Sequence, residues 1–374
     1  MKSITFATVL IICSAVTWAN DDDPRARDVG IAPGIYSPGA YNAITDVAGV
    51  LVGHVSIVDD DAVRTGVTAI LPHAGNIYQD KVPAGFSQGN GFGKMMGTTQ
   101  VIELGELETP VLLTNTLSVP EVAAGVIEWT LVQAGNEDVR SVNAVVGETN
   151  DGRINNIRLR AVQPHHALDA IRGARSGAVA EGSIGAGMGT VSFGWKGGIG
   201  SSSRVLPQRD GGFTVGVLVQ TNYGGELMIM GTPVSPQDLQ AVSGPAATAT
   251  SPDGSVMVII ATDAPLSDRN LERLAARSFL GIARTGSAMS NGSGDYALAF
   301  STAESVRRTA QRREQLHTLQ DLPNEHMTPL FQAVVEATEE AVYNALFKAS
   351  DVEGINNGQY PAIPVADVIR FLEP

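Results

Sequence analysis

The sequence contains one cysteine, Cys13, among 374 residues, and aromatic residues make up only 5%. Cys13 lies in an apolar N-terminal stretch, so a mature chain without that stretch would have no disulfide, no thiolate nucleophile and no thiolate metal site. Lys and Arg number 25 against 39 Asp and Glu, and no basic stripe is present. The net charge of -14 argues against nucleic acid as a partner and weakly favours ligands that carry a free amine.

Long apolar runs are also absent, except at the N-terminus. Lys2 precedes an apolar stretch at residues 4–16, which ends in small residues around Ala19 and a polar run. This stretch is too short for a comfortable transmembrane helix, but its length and its ending are typical of a secretory leader. We therefore expect residues 1–19 to be a signal peptide and the mature protein to be periplasmic or secreted. Isoleucine stands before Cys13 where a lipoprotein signal needs a small residue, so lipid attachment is a minor alternative.

Glycine is abundant, with 41 residues, and hydrophobic residues make up 43%. This composition indicates a globular chain with tightly turned sheets. Short β-branched runs alternate irregularly with helical patterns. Strands are predicted at 50–55, 66–72, 111–116, 139–147, 213–220, 256–262 and 296–301, and helices at 118–134, 164–179, 267–283, 328–349 and 365–372. The alternation predicts a layered α/β fold in a single domain, residues 20–374, with helices covering the sheets.

Two glycine-rich tracts, residues 84–97 and 182–204, are predicted to be loops. The second resembles a phosphate-binding loop only loosely. It does not fit the dinucleotide-binding pattern G-x-G-x-x-G, because the third glycine is missing. It does not fit the phosphate-loop pattern G-x-x-x-x-G-K-[ST] either, because Trp195 separates Gly194 from Lys196. Tight turns beside a packed sheet, or one wall of an active site, explain these glycines better than nucleotide binding does.

Common catalytic motifs are missing. The six histidines show no H-E-x-x-H spacing, so we interpret them as surface or capping residues rather than metal ligands. No G-x-S-x-G elbow is present, because neither Ser183 nor Ser293 has a glycine two positions before it. An α/β-hydrolase triad is therefore poorly supported.

Polar residues stand instead at the ends of predicted strands: Asn115, Glu148, Asn222, Ser255, Ser293 and Asp295. Turns and caps are the ordinary explanation for such residues. Gly254-Ser255 follows a loose stretch, residues 242–252, rich in Ser, Pro, Ala and Thr, and precedes a strongly apolar run. Taken alone, this pair predicts only a turn before a buried strand.

Several longer motifs occur in a fixed order, and together they are more specific than any one of them. They are YNAITDV at 41–47, VLVGH at 50–54, RTGVTAILP at 64–72, LTNT at 113–116, VVGETNDG at 145–152, KGGIG at 196–200, Gly-Ser at 254–255, GIARTG at 281–286 and SGD at 293–295. With these motifs the chain resembles, from about residue 27 to 301, the DmpA-type family of L-aminopeptidase D-Ala-esterase/amidases and β-aminopeptidases.

The resemblance implies an αββα sandwich similar to that of the N-terminal-nucleophile hydrolases. It also implies autoproteolysis between Gly254 and Ser255, which would give an α chain of residues 20–254 and a β chain of residues 255–374. The family needs no cofactor and assembles as a tetramer of αβ units. We therefore expect a serine aminopeptidase or amidase that releases N-terminal residues from short peptides, amides or esters, with no membrane anchor.

The resemblance also implies roles for individual residues. Ser255 matches the nucleophile, Ser293 and Asp295 match the pair that supports it, Asn222 matches the oxyanion donor, and Glu148 matches the acid that receives the substrate amine. The chemistry is coherent, because a free Ser255 α-amine with a pKa of roughly 7.7–8.0 can act as the base that a serine hydroxyl needs.

Two residues depart from the family pattern. Pro120 stands where glycine is expected, and Lys94 stands where an acidic residue is common, so the substrate pocket and the preference for L-α, D-α or β-amino acids stay open. Two other functions also stay open. An ornithine-acetyltransferase-like acyl transferase would be expected to use threonine in the cytoplasm, and a periplasmic protein that binds amines would keep an intact chain.

Overall fold

The computed structural model describes residues 23–60, 62–243 and 254–372. The expected leader, with Cys13, and most of the loose stretch before Gly254 lie outside the described residues. None of the helices in the described chain is both long enough and apolar enough to cross a membrane.

The described residues form eighteen strands and eight α-helices. The strands are β1 Leu51–Asp59, β2 Val63–Leu71, β3 Asp80–Gly91, β4 Met95–Met96, β5 Glu106–Leu107, β6 Val111–Asn115, β7 Val145–Thr149, β8 Val191–Ser192, β9 Trp195–Lys196, β10 Ile199–Val205, β11 Thr214–Asn222, β12 Met228–Ile229, β13 Thr232–Pro233, β14 Ser255–Thr262, β15 Gly294–Ser301, β16 Arg308–Thr309, β17 Val352–Glu353 and β18 Gln359–Tyr360. The helices are α1 Thr98–Leu104, α2 Val119–Leu131, α3 Pro164–Gly173, α4 Pro236–Ser243, α5 Asp268–Arg284, α6 Ala310–Arg313, α7 Met327–Phe347 and α8 Val365–Leu372.

Two sheets carry the fold. The first has the strand order β1-β2-β6-β7-β4, and the second has the order β10-β11-β14-β15-β3-β16, with β5 beside β3. Strand β14 lies in the middle of the second sheet, antiparallel to β11 and parallel to β15. All eight of its residues are buried, which agrees with the run of apolar, mostly branched residues in its sequence.

The two sheets are stacked face to face between two layers of helices. Along β14, Val256, Val258 and Ile260 pack in the core beneath α5 and α7. The alternate residues Met257 and Ile259 pack against the first sheet. A third core joins the outer face of the first sheet to α2 and α3. The predicted αββα sandwich is therefore confirmed.

The glycine-rich tracts are not the predicted loops throughout, since residues 80–91 form the long strand β3 and residues 199–205 form β10. Their glycines let a helix approach a strand closely. A Cβ on Gly85 would stand 2.0 Å from the backbone nitrogen of Glu272 in α5, and a Cβ on Gly200 would stand 1.9 Å from the carbonyl oxygen of Ala341 in α7. These glycines therefore mark helix-on-sheet contacts rather than turns.

Several predicted boundaries were wrong by a few residues. The strand expected at 139–147 begins only at Val145, and the helix expected to reach residue 179 ends at Gly173. On α2, Val122 and Val126 are buried, whereas Leu131 is exposed at the end of the helix. Helix ends depend on local packing more than on periodicity, which explains these differences.

Candidate active site

Ser255 is the first residue of β14, and the sheet register brings the predicted polar residues to it. Ser255 is opposite Asn222, the last residue of β11, and opposite Gly294, the first residue of β15. Ser293 and Asp295 flank Gly294 in the sequence. Residues that are far apart in the chain therefore meet at one end of the second sheet because three strand ends lie side by side.

The carbonyl oxygen of Gly254, in the peptide bond to Ser255, accepts two hydrogen bonds. The Ser255 Oγ donates to the Gly254 oxygen at 2.7 Å, and the backbone nitrogen of Gly294 donates to the same oxygen at 3.1 Å. Both donors polarise this carbonyl, and the N–H of Gly294 would stabilise negative charge on its oxygen. The part played by Gly294 could not be predicted, because the position of its N–H depends on the strand register.

Ser293 and Asp295 form a pair behind the strand. The Ser293 Oγ donates to the Asp295 Oδ1 at 2.7 Å. Asp295 is fully buried, and this burial raises its pKa to about 6, against the opposing effect of the Ser293 hydrogen bond. The other carboxylate oxygen, Oδ2, has no hydrogen-bond partner among the described residues. Asp295 alternates with Ala297 on the helix-facing side of the sheet, whereas Ser255 alternates with Met257 on the side that faces the first sheet.

Asn222 has a fixed amide orientation. Its Oδ1 accepts a hydrogen bond from the backbone nitrogen of Val191 at 3.0 Å, and its Nδ2 donates to the carbonyl oxygen of Asn150 at 3.0 Å. A side-chain amide carries two N–H groups, so one donor is left for a ligand. Because Asn222 and Ser255 are register partners, their side chains share one face of the sheet.

A cavity of about 790 Å³ opens on this face, a size that suits a small organic ligand or a short peptide. Residues from both sheets line this cavity. The lining residues are Gly91, Phe92, Gly93, Lys94, Thr116, Glu148, Asn150, Gly152, Arg153, Ile157, Val191, Asn222, Gly254, Ser255 and Gly292. Three of the predicted site residues, Glu148, Asn222 and Ser255, therefore share one cavity.

Glu148, near the end of β7, is the buried carboxylate of the cavity. Its Oε1 accepts hydrogen bonds from the backbone nitrogen of Lys94 at 3.1 Å and from the Lys94 Nζ at 3.0 Å. Its Oε2 accepts from the Thr116 Oγ1. The contacts of Lys94 and Thr116 were not predicted, although Thr116 belongs to the LTNT motif at a strand end, where polar residues were expected to gather.

Asn115, the remaining strand-end residue, has a structural role instead. Its Nδ2 donates to the Thr65 Oγ1 at 2.8 Å in a buried position, and Asn115 is not part of the cavity lining. Across the described ranges, no group of three or more His, Cys, Asp or Glu side chains is placed to hold a metal ion.

A four-layer αββα fold and a central strand that begins with serine at a cavity with a buried carboxylate together define the class of N-terminal-nucleophile hydrolases. The family model described as "Peptidase family S58" matches residues 42–360. The chain belongs to peptidase family S58, and it is a self-processing serine aminopeptidase.

Individual relatives agree with this assignment. The beta-peptidyl aminopeptidase BapA of Sphingosinicella microcystinivorans is 41% identical over 95% of this chain and 93% of its own length. The structure of a Burkholderia sp. beta-aminopeptidase superposes with a TM-score of 0.85 at 38% identity, covering 93% of this chain and 98% of the other. The L-aminopeptidase D-Ala-esterase/amidase of Ochrobactrum anthropi, described as a variant of the Ntn hydrolase fold, gives a TM-score of 0.84 at 35% identity, with coverages of 93% and 98%.

Membership in a peptidase family decides between the functions that the sequence left open. It favours the aminopeptidase over both the acyl transferase and the protein that only binds amines.

Proposed function

We propose that Ser255 cuts the chain before itself and then serves as the nucleophile of the aminopeptidase. One observation carries the proposal: the Ser255 hydroxyl lies against the carbonyl of Gly254, with 2.7 Å between the Ser255 Oγ and the Gly254 oxygen, in a cavity that also holds the buried carboxylate of Glu148. The processed enzyme would consist of residues 20–254 and 255–374.

In the processing step, the Ser255 Oγ adds to the Gly254 carbonyl carbon and loses its proton. The C–N bond then breaks, and the Ser255 nitrogen leaves as an amine, so that an ester joins the two residues. Water hydrolyses the ester and frees the carboxylate of Gly254. The N–H of Gly294, 3.1 Å from the carbonyl oxygen, is placed to stabilise the oxyanion of the addition step.

In turnover, the new α-amine of Ser255 takes the proton from its own hydroxyl. Ser293, whose Oγ is hydrogen-bonded to Asp295, would hold or relay the proton of this amine. The remaining N–H of Asn222 donates to the oxyanion as the substrate carbonyl is attacked. The leaving amine departs, and water then hydrolyses the acyl-enzyme.

The substrates proposed are short peptides, amino-acid amides and esters with a free N-terminal amine. Glu148 would receive the substrate ammonium and so set the distance between the amine and the scissile carbonyl. Peptides that begin with a β-amino acid are the first choice, because relatives at 41% and 38% identity are named as β-peptidyl aminopeptidases. We further propose that residues 1–19 are removed on export to the periplasm or the medium, and that αβ units assemble into a tetramer.

Replacement of the nucleophile tests the proposal. Ser255→Ala is expected to give a single uncut chain with no peptidase activity, because the hydroxyl that attacks the Gly254 carbonyl is removed. Wild-type protein should give two bands on a denaturing gel and two masses that meet between Gly254 and Ser255. The intact masses would also locate the leader cleavage. Ser176→Ala, at an exposed serine outside the site, is the matched control and should be processed normally. Two bands from Ser255→Ala would refute the mechanism.

A further inference from the structure

The cavity beside Ser255 contains two cationic side chains as well as the carboxylate of Glu148. The Nζ of Lys94 lies 3.0 Å from the Glu148 Oε1, and the Lys94 side chain is about half exposed. Arg153 also lines the cavity, is exposed, and forms no ion pair with any residue in the described part of the chain. The Lys94 ammonium therefore already neutralises the Glu148 carboxylate that would receive the substrate amine. Arg153 adds a second positive charge to the cavity lining.

Charge balance restricts the substrates that suit this wall. An ammonium that binds Glu148 must share one carboxylate with the Lys94 ammonium, and Arg153 adds to the positive charge. Two ammonium groups that share one carboxylate repel each other in a partly buried site. A substrate that brings its own carboxylate next to its ammonium removes the conflict, because each of its charges then meets an opposite charge on the protein.

We propose that the cavity selects N-terminal β-amino acids that carry a carboxylate on the same carbon as the amine, which is the structure of a β-aspartyl residue. In this arrangement the substrate ammonium contacts Glu148, and the substrate carboxylate contacts Lys94, with Arg153 at its outer side. The inference rests on the proposed function, since it takes Ser255 as the nucleophile and Glu148 as the amine site.

The spacing of the charges favours β-linked over α-linked aspartate. In a β-aspartyl peptide the ammonium and the carboxylate share one carbon, so they form a compact pair that matches the adjacent Lys94 and Glu148. In an α-aspartyl peptide the carboxylate is at the end of the side chain and the two charges lie further apart. Hydrolysis of a β-aspartyl peptide breaks the bond between the β-carbonyl and the next nitrogen, consumes one water, and releases aspartate.

Four dipeptides and the processed enzyme test the proposal. The substrates are β-aspartyl-leucine, its α-carboxamide analogue, α-aspartyl-leucine, and β-homoalanyl-leucine, which carries a methyl group in place of the carboxylate. Wild-type enzyme is expected to cleave β-aspartyl-leucine with a kcat/KM about tenfold or more above that of the carboxamide, the worth of one charge-assisted contact. α-Aspartyl-leucine should be cleaved more slowly than its β-linked isomer.

Variants of the cations show whether the preference comes from this wall. Lys94→Met should lower kcat/KM for β-aspartyl-leucine about tenfold and raise it for β-homoalanyl-leucine, because a competing ammonium is removed. Lys94→Arg should keep the preference, and Arg153→Gln should weaken it by a smaller factor. Arg158→Gln, at an exposed arginine outside the cavity lining, is the control for Arg153 and should leave the preference unchanged.

Each other outcome has a distinct meaning. If Lys94→Met changes kcat/KM for the charged and neutral peptides by the same factor, Lys94 only competes with the amine and the proposed selectivity is wrong. The selectivity is equally wrong if wild-type enzyme cleaves β-homoalanyl-leucine well but shows no preference for β-aspartyl-leucine. In both cases the proposed aminopeptidase stands. If correctly processed wild-type enzyme cleaves none of the four dipeptides, the proposed function is wrong, and this inference is wrong with it. A gel of each variant verifies that processing is complete.

Discussion

Glu148 in the cavity and Glu336 and Glu340 in helix α7 are almost equally buried, yet their cationic partners differ greatly. The partner shared by the two α7 carboxylates, Arg204, is completely inaccessible, whereas the side chain of Lys94, which pairs with Glu148, is 49% exposed. A buried ion pair whose two members are both sealed can only support the fold. A buried carboxylate whose partner reaches solvent can exchange that partner for a ligand.

The α7 cluster ties distant parts of the chain together. Glu340 accepts hydrogen bonds from the Arg204 Nη2 at 2.7 Å and from the Arg27 Nε at 2.8 Å. Glu336 accepts from the backbone nitrogen of Tyr36 at 3.1 Å. The N-terminal segment, β10 and α7 therefore share one network in which each carboxylate has several partners. Such a network is costly to break, because the removal of one member leaves a buried charge uncompensated.

Arg204→Met should produce the largest change in stability. We expect the free energy of unfolding to fall by about 3–5 kcal/mol, because Glu336 and Glu340 lose their shared cation in a dry environment. Urea unfolding of the uncut Ser255→Ala chain measures this without the complication of two chains. Arg209→Met is the control, because Arg209 is largely exposed and its one ion pair within the described residues is with its neighbour Asp210. This substitution should change stability by under about 0.5 kcal/mol. Equal, small effects of the two substitutions would show that the α7 cluster does not hold the fold.

Glu148→Gln should affect activity more than stability. The glutamine keeps the shape: its oxygen can still accept from the backbone N–H of Lys94, and its amide nitrogen can donate to the Thr116 Oγ1. The Lys94 ammonium can turn to solvent, so we expect the thermal midpoint to move by only a few degrees. The kcat/KM for a β-peptide should fall about 30–100-fold, because a charge-assisted contact with the substrate ammonium is lost.

A substrate analogue without the amine provides the control for Glu148→Gln. Wild-type and variant enzymes should cleave this desamino analogue at the same low rate, since neither can use an ammonium contact with it. A variant that loses as much activity on the desamino analogue as on the β-peptide would indicate a distorted cavity rather than a lost ammonium site.

Part of the fold and part of the candidate site could be predicted from the sequence. The apolar run from Val256 predicts a buried strand, and the ordered motifs imply the sandwich and point to Ser255, Asn222 and Glu148, which all line the cavity. Strand β3 was missed because its glycines fit the approach of α5, and a contact with a distant helix leaves no local signature in the sequence.

The hydrogen-bond partners of the site residues could not be predicted from the sequence either. The N–H of Gly294 reaches the Gly254 carbonyl only because β14 and β15 are parallel in one particular register. Lys94 departs from the family pattern, but its contact with Glu148 depends on the pairing of β4 with β7, two strands that are far apart in the chain. Sequence patterns identify which residues lie at strand ends, whereas the pairing of strands decides which of them meet.

Asp295 is a third kind of buried carboxylate, because it has no cationic partner at all and its Oδ2 is unpaired within the described chain. Burial raises its pKa from 3.8 to about 6. The folded chain therefore binds this proton more tightly than the unfolded chain does, and ionisation of Asp295 removes stability as the pH rises from about 4 to about 6. Asn has no charge to bury, so Asp295→Asn should escape this loss.

Asp295→Asn should have the smallest effect of the three substitutions. We expect it to raise Tm by a few degrees above pH 6 and to leave Tm unchanged near pH 4. Thermal unfolding of uncut Ser255→Ala chains with and without the second substitution, across this range, measures the difference with the Gly254–Ser255 bond intact in both. The Ser293 hydroxyl can donate to Asn as it does to Asp, so the hydrogen bond is preserved and the charge alone changes. A difference in Tm that stays constant between pH 4 and pH 7 would mean that Asp295 is ionised throughout this range because it has a cationic partner in solution. Asp295 would then resemble Glu336 and Glu340 of the α7 cluster rather than an unpaired carboxylate.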